Sequence, residues 1–588
     1  MTLDGSTPYL RDAALSFRDV YQWLEAAYKI SGAPQCHLLR PSTAVAFPHI
    51  PTPALLSPVY THAIFKVARY LTMGPAPAEF EEKYRTSHEP SSYHTAENRL
   101  PRWAEPREPP RIKWLDGHRI RVMLLSLFLL VGLSTFARDH HSDRVADEAW
   151  INSEYEIALD LFQKNIHPPG TSPGTVVASD SKHSPNYWYH WVRDAAIVMD
   201  KTLVTLYESP ETSTADKDKY ENLLKEYVGH EYVIQHTQNP SGNYGYNGQG
   251  GGLGEPKFNV DDTAFTDNWG RPQNDGPALR AMTLVRFARA YLSRYSYSTA
   301  AISYITELYD SKYPTESVIK ADLEYIGHRF DQWYNFDLWE EVTNSLHYFT
   351  LQVQRCALIE GALLADVLGD SGAADWYNAI SSNITTTLDR FWDPNRGIIR
   401  SHEQEIRKSN LDISTLLGIL HGSGKVHYQL SQPDSDRIFS TLNKLNASFA
   451  HEYALNSGRR YPAIGRYPED LYYNGNPWFL ATLAYAELLY RSLLYWGSTG
   501  SVTVTSVSID FFQAYKPISA EIICGVWKDA ESRLGIVQEF ATDGIMAEQF
   551  DRNTGEQLSA TNLTWNYGEY LRTYWARKDA SAFADQCN

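Results

Sequence analysis

Two glutamates far apart in the chain sit in runs rich in aromatic, amide and charged residues. Glu340 lies in Phe336-Asp337-Leu338-Trp339-Glu340-Glu341-Val342, and Glu548 in Met546-Ala547-Glu548-Gln549-Phe550-Asp551-Arg552. A pair of carboxyl groups, one protonated and one ionised, is what hydrolysis of a glycosidic bond requires. Burial against Trp339, with Asp337 and Glu341 as like charges, would hold the proton on Glu340. Gln549 and Ser559 offer hydrogen bonds that would keep Glu548 ionised. Taken alone, Glu340-Glu341 reads equally as a solvated acidic turn. Glu-Gln is commonplace in polar loops, and a second such pair, Glu556-Gln557, leaves the identity of the base open on local grounds.

Other polar and aromatic runs each lead into a helix. They are Tyr187 to Asp194, Gly252 to Asn259 with Trp269 to Pro277, the Glu340 run, and Gly465 to Trp478; the segment from Glu548 to Trp565 is a fifth. Arg193-Asp194 suits either a helix start or the gripping of sugar hydroxyls. Of Tyr472-Tyr473, one ring is expected to face a cleft and the other to pack. The helices that must carry these loops show 3–4 residue apolar spacing: one opened by Asn476-Pro477, one by Pro277, and others over Leu351 to Leu368, Ala373 to Trp392 and Arg437 to Tyr453. About a dozen such segments between Asp143 and Arg577 predict an all-α body. Strand-like alternation is confined to Ser501 to Val507. His190, His347 and His427 show no carboxylates at metal-ligand spacing and read as structural or surface residues, so no metal or cofactor is expected.

The 588 residues carry 53 basic and 70 acidic side chains, a net charge of −17. Residues 1–122 hold 15 basic and 12 acidic groups, which leaves the remainder at −20 and argues against nucleic-acid binding. The 16 Trp and 39 Tyr suit flat neutral ligands. Cys36, Cys356, Cys524 and Cys587 form no legible disulfide framework. Asn383, Asn446 and Asn562 head glycosylation triplets.

Residues 122–137 are uncharged and follow Arg119 and Arg121, with small residues at Thr135 and Ala137. This predicts a signal peptide near 123–137, with an internal signal-anchor as the alternative. The Pro- and Ser-rich residues 1–122 are expected to be an unstructured extension: a reading-frame artefact upstream of a start at Met123, or a soluble regulatory segment. The catalytic domain is expected at 143–580, in a secreted or vacuolar product.

Taken together and in this order, the five runs resemble the fungal glucoamylases, glycoside hydrolase family 15, from about Ile151 to Arg577. The resemblance implies an (α/α)6 barrel. It also implies exo-hydrolysis of α-1,4 and, more slowly, α-1,6 glucosidic bonds of starch, glycogen or maltodextrins, releasing β-D-glucose with inversion. Glu340 matches the general acid. Glu548 matches the base, because the family pattern of a small residue, Glu-Gln, an aromatic and Asp, with Ser eleven residues beyond, fits Ala547 to Asp551 and Ser559 but not Glu556. Tyr187 matches a tyrosine beside the developing oxocarbenium ion, Arg193, Asp194 and Arg466 match residues that grip the terminal glucose, and Trp269 matches a tryptophan close to the acid; Trp191, Tyr472 and Trp478 are further substrate-binding candidates, with Trp191 reading equally as core. Asp337, Glu341 and Asp470 match carboxylates that hold the environment or the next sugar ring, and Leu338, Trp339 and Lys257 match the surrounding wall. A monomer without an obligate protein partner is expected. Two departures stand out: Asn566 occupies a usual Ser position, and no starch-binding module follows Arg577, so soluble dextrins are the expected substrate. Two other readings stay open, a helical-barrel hydrolase of trehalose or dextran type and a catalytically silent carbohydrate-binding protein.

Overall fold

Helices alternate along the chain between an outer and an inner position. The computed structural model describes residues 144–245, 251–404, 407–422, 434–515 and 520–587. The extension, the signal segment, Cys36 and His427 lie outside these residues. In chain order the main helices are α1 (Glu148–Lys164), α2 (Val192–Val198), α3 (Thr214–His236), α4 (Asp275–Arg294), α5 (Val318–Arg329), α6 (Tyr348–Val367), α7 (Ser371–Leu388), α8 (Ser414–His421), α9 (Asp434–Glu452), α10 (Phe479–Thr499), α11 (Ala520–Phe540) and α12 (Thr564–Asp579). The even-numbered helices pack in sequence, α2 on α4, α4 on α6, α6 on α8, α8 on α10 and α10 on α12, and α12 returns to α2. Six inner helices therefore close a ring. Outside it, α1 packs on α12, α5 on α4, α7 on α6 and α11 on α10.

Side-chain pattern decides which helix goes where. In α4, Ala278, Leu279, Ala281, Met282, Leu284, Val285, Phe287 and Ala288 are all buried, together with Arg280 and Thr283, so the helix is enclosed on most sides and belongs inside. In α1 the buried residues, Ile151, Glu154, Ala158 and Phe162, form a single stripe, and the other face meets water.

Two helix starts differ from the sequence expectation. α10 begins at Phe479, with Trp478 at its cap, and the Asn476 side-chain oxygen that a cap would use accepts instead from Arg552 N (3.1 Å). α4 begins at Asp275, two residues before Pro277. The alternating segment Ser501 to Val507 pairs with no strand among the described residues, and Val504 and Val507 are exposed. The strands described are two-residue ribbons: His190–Trp191 with Lys257–Phe258, Trp392–Asp393 with Ile398–Ile399, and Gln549–Phe550 with Gln557–Leu558. The first and third brace loops at the mouth of the ring. Cys524 and Cys587, unpaired in the sequence reading, form a disulfide with Cα atoms 5.1 Å apart that ties α11 to the chain end. Cys356 is free and buried in α6.

One core residue of α1 makes stability depend on pH. Glu154 is 1% exposed and neither carboxyl oxygen has a hydrogen-bond partner, so burial pushes its pKa up to about 8. The unfolded chain ionises this group near pH 4.5, while the folded chain keeps it protonated. Its contribution is therefore neutral below pH 4.5 and increasingly destabilising as pH rises toward 8. At pH 7 the cost is about 3 kcal/mol. Glu154→Gln is expected to raise the melting temperature at pH 7 and leave it nearly unchanged at pH 4.5. An equal shift at both pH values would contradict this.

Candidate active site

All the polar runs singled out in the sequence precede inner helices. Tyr187 to Trp191 lead into α2, Trp269 to Asn274 into α4, Glu340 to His347 into α6, Gly465 to Trp478 into α10, and Glu548 to Leu563 into α12. The N-terminal ends of the inner helices thus gather at one mouth, and their partial positive charge favours carboxylates there. The mouth holds a cavity of about 560 Å3 whose lining includes both Glu340 and Glu548.

Glu340 sits at φ +65°, in the left-handed region that a glutamate rarely adopts. A tight turn holds it there. Glu340 N donates to Asp337 O (2.9 Å), and Asp337 Oδ1 accepts from the amides of Glu341 (2.8 Å) and Val342 (2.9 Å). The turn aims the carboxyl at three donors. Trp191 Nε1 (2.8 Å) and Arg193 Nη2 (3.0 Å) reach Oε1, and Trp269 Nε1 (2.8 Å) reaches Oε2. Arg193 is anchored from behind by Gln273 Oε1 (2.7 Å) and Asp275 Oδ2 (3.0 Å). The sequence reading placed Trp339 against Glu340 and counted Asp337 and Glu341 as repelling charges. In the structure Trp339 Nε1 turns to Asp412 (3.0 Å), and both carboxylates are compensated. Glu341 is 2.7 Å from Arg407 and 2.9 Å from Arg466. Burial pushes the Asp337 carboxyl up, but His402, Arg407 and backbone donors outweigh it and hold it below the usual range.

Glu548 is 3% exposed and faces the same cavity. Tyr187 Oη donates to Oε1 (2.8 Å), while Ser559 Oγ (2.5 Å) and Gln549 Nε2 (3.1 Å) donate to Oε2. The two donors expected from sequence are there, yet burial prevails over them and the Glu548 pKa lies above the usual carboxylate range. Glu556 is exposed in the turn of the Gln549–Leu558 ribbon and does not line the cavity. Asn566, the departure noted above, reaches two neighbours: its Oδ1 accepts from Leu480 N (3.1 Å) and its Nδ2 donates to Ala547 O (2.7 Å). It therefore ties the starts of α10 and α12 to the residue preceding Glu548.

The third wall carries Arg466, which forks onto Asp470 (2.8 and 2.6 Å) and stands 5.1–5.3 Å from the rings of Trp339, Tyr472 and Trp478. Asp470 and Asp337 lie behind the cavity wall; Arg193, Asp194, Leu338, Trp339, Glu341, Arg466, Tyr472 and Trp478 line it. Lys257 Nζ sits among four rings, 3.3 Å from the Trp269 centroid and 3.9 Å from that of Phe265, and burial lowers its pKa to about 8. Burial raises Asp194 to about 7 against the pull of Arg193.

Sequence reasoning missed the loop before α8. Its Arg407 joins Asp412 (2.7 Å), Asp337 and Glu341, and Asp412 fixes Trp339. It also missed Trp565, which lines the cavity as Trp478 does; the indole N–H of each is buried without a protein acceptor.

The histidine expectation needs correction. His190 Nε2 is 2.9 Å from Glu231 Oε1, and His230 is flanked by Glu231 (3.7 Å) and Asp262 (3.1 Å); His190, His230 and Glu231 are close enough to surround an ion. Their bonding points to proton holding instead. The Val176 amide donates to His190 Nδ1 (3.1 Å), so the neutral ring carries its proton on Nε2, toward Glu231, and Arg280 takes the other Glu231 oxygen (3.1 Å). His347 hydrogen-bonds His402 (2.9 Å) and Asn335 O (3.1 Å). Of the glycosylation candidates, Asn383 is exposed on α7, whereas Asn446 accepts from Arg533 (2.7 Å) and Asn562 donates to Asp180 (2.8 Å).

A family profile described as "Glycosyl hydrolases family 15" matches residues 156–575. "Glucoamylase-1" of Schizophyllum commune is 37% identical over 480 residues, covering 77% of each chain. "Glucoamylase" of Neurospora crassa is 38% identical over 459 residues, covering 73% of this chain and 69% of its own. Among solved structures, the "Glycoside Hydrolase Family 15 Glucoamylase from Hypocrea jecorina" superposes with a TM-score of 0.66 at 35% identity, covering 73% of this chain and 72% of that one.

Proposed function

The chain belongs to glycosyl hydrolase family 15, and from that premise we propose that it is an exo-acting glucoamylase releasing β-D-glucose from the non-reducing ends of α-glucans. The observation that carries the reading is a single cavity lined by two carboxyls in different settings. Glu340 is ringed by N–H donors and Glu548 by hydroxyl and amide donors. A cavity of about 560 Å3 suits a chain end of a few sugar units and not a running polysaccharide, which supports exo action.

In this reading Glu340 gives its proton to the glycosidic oxygen as the C1–O bond breaks. Glu548 takes a proton from a water that attacks C1 from the opposite face, so the configuration inverts. Trp191, Arg193 and Trp269 stabilise the carboxylate that Glu340 becomes, an interaction strongest after the proton has left. The Tyr187 hydroxyl keeps Glu548 aimed at the water. Arg193, Asp194 and Arg466 bind hydroxyls of the terminal glucose, and Trp339, Trp478 and Trp565 wall it. We also propose export from the cytosol, supported by the Cys524–Cys587 disulfide, since such bonds persist in oxidising compartments.

Glucose release from maltose, maltoheptaose, isomaltose and trehalose tests the reading. Maltoheptaose and maltose are expected to be cleaved fastest, isomaltose slowly and trehalose negligibly. Preference for trehalose or isomaltose would overturn it.

A further inference from the structure

Resting on the glucan-hydrolase reading, we propose that Tyr473, with Leu471 beside it, forms an external platform for glucosyl units of the substrate chain that lie outside the cavity. Tyr472 lines the cavity, and its hydroxyl is 3.1 Å from that of Tyr187, which in turn donates to Glu548. The Tyr473 ring meets Tyr472 edge-on at 4.8 Å, so one aromatic strip runs outward from the catalytic carboxyl. The sequence suggested that one of the two tyrosines would face the cleft and the other would pack. Instead Tyr473 is 42% exposed, and Leu471 is 86% exposed.

The backbone is held so as to present this pair. Tyr473, Asn474 and Gly475 follow one another at φ 50°, 73° and 68°, a left-handed run that a tyrosine rarely enters. Asn476 Nδ2 donates to Tyr473 O (2.8 Å), and Arg552 Nη1 donates to the carbonyls of Asn474 (3.0 Å) and Gly475 (3.1 Å). A Cβ on Gly475 would fall 2.1 Å from Asp470 O, so the turn admits only glycine there. Three side-chain hydrogen bonds therefore hold in place a turn whose outward product is a bare aromatic and a bare leucine. The C–H face of a glucosyl ring is apolar and its rim is hydroxylated, which matches an aromatic face with a solvated phenol edge. Continuity with Tyr472 makes the substrate's own chain the occupant.

The test compares kcat/KM on maltose and maltoheptaose for the unmodified chain, Tyr473→Ala and Tyr473→Phe, with melting temperatures alongside. Tyr473→Ala is expected to lose about 3- to 10-fold on maltoheptaose while maltose is unchanged, and Tyr473→Phe to match the unmodified chain on both. An equal loss on both substrates would assign the ring to supporting Tyr472 and overturn the platform, as would no loss on either. A loss in Tyr473→Phe equal to that in Tyr473→Ala would overturn the stacking contact. If the unmodified chain releases no glucose from either sugar, the functional reading itself fails, a result distinct from all of these.

Discussion

Glu340→Gln is expected to lower kcat on maltose by about 10²- to 10⁴-fold, the range a positioned general acid contributes. The substitution keeps the shape of the side chain but removes the transferable proton. The amide oxygen is expected to keep Trp191 and Arg193 as donors, and the Trp269 Nε1–H loses its acceptor; the sugar grips Asp194 and Arg466 are untouched, so KM should shift only modestly. Folding should survive, because Arg193 keeps Gln273 and Asp275. Steady-state kinetics on maltose and on α-glucosyl fluoride check the assignment, since fluoride departs without protonation. Turnover of the fluoride should fall far less than turnover of maltose. Maltose activity within tenfold of the unmodified chain would point to a different acid.

Glu548→Gln is expected to lose a comparable 10²- to 10⁴-fold, and on both substrates, because water must be activated whichever group leaves. Glu556→Gln is expected to stay within about twofold, since an exposed turn residue away from the cavity contributes little. The two variants measured side by side resolve the choice between the Glu-Gln pairs. A severe loss in Glu556→Gln, with Glu548→Gln active, would reverse it.

Much of the arrangement was legible because it is local. Each polar run abuts the start of an inner helix, so the apolar periodicity and the chemistry could be read from one stretch of chain. Glu340, Trp191, Trp269 and Arg193 all stood out in this way. What one run cannot display is which groups from different loops meet. Asp337 and Glu341 looked like repelling neighbours of Glu340 because the arginine that compensates both, Arg407, lies on a loop without aromatic residues. Asn476 had the type of a helix cap, but its side-chain oxygen accepts from Arg552 N, 76 residues away in the chain. The Cys524–Cys587 pair spans 63 residues with no spacing pattern to mark it. His190 seemed isolated because Glu231 approaches it from α3. The Ser501 to Val507 alternation had the period of a strand but no partner.

The account turns on water being activated by Glu548 on the face opposite the proton given by Glu340. Proton NMR of the first glucose released from maltoheptaose, followed before mutarotation, reads this directly. The anomeric signal is predicted to appear as β-glucose and only later to drift toward the equilibrium mixture. Initial release of α-glucose would mean that configuration is retained, and the two-glutamate account would be wrong.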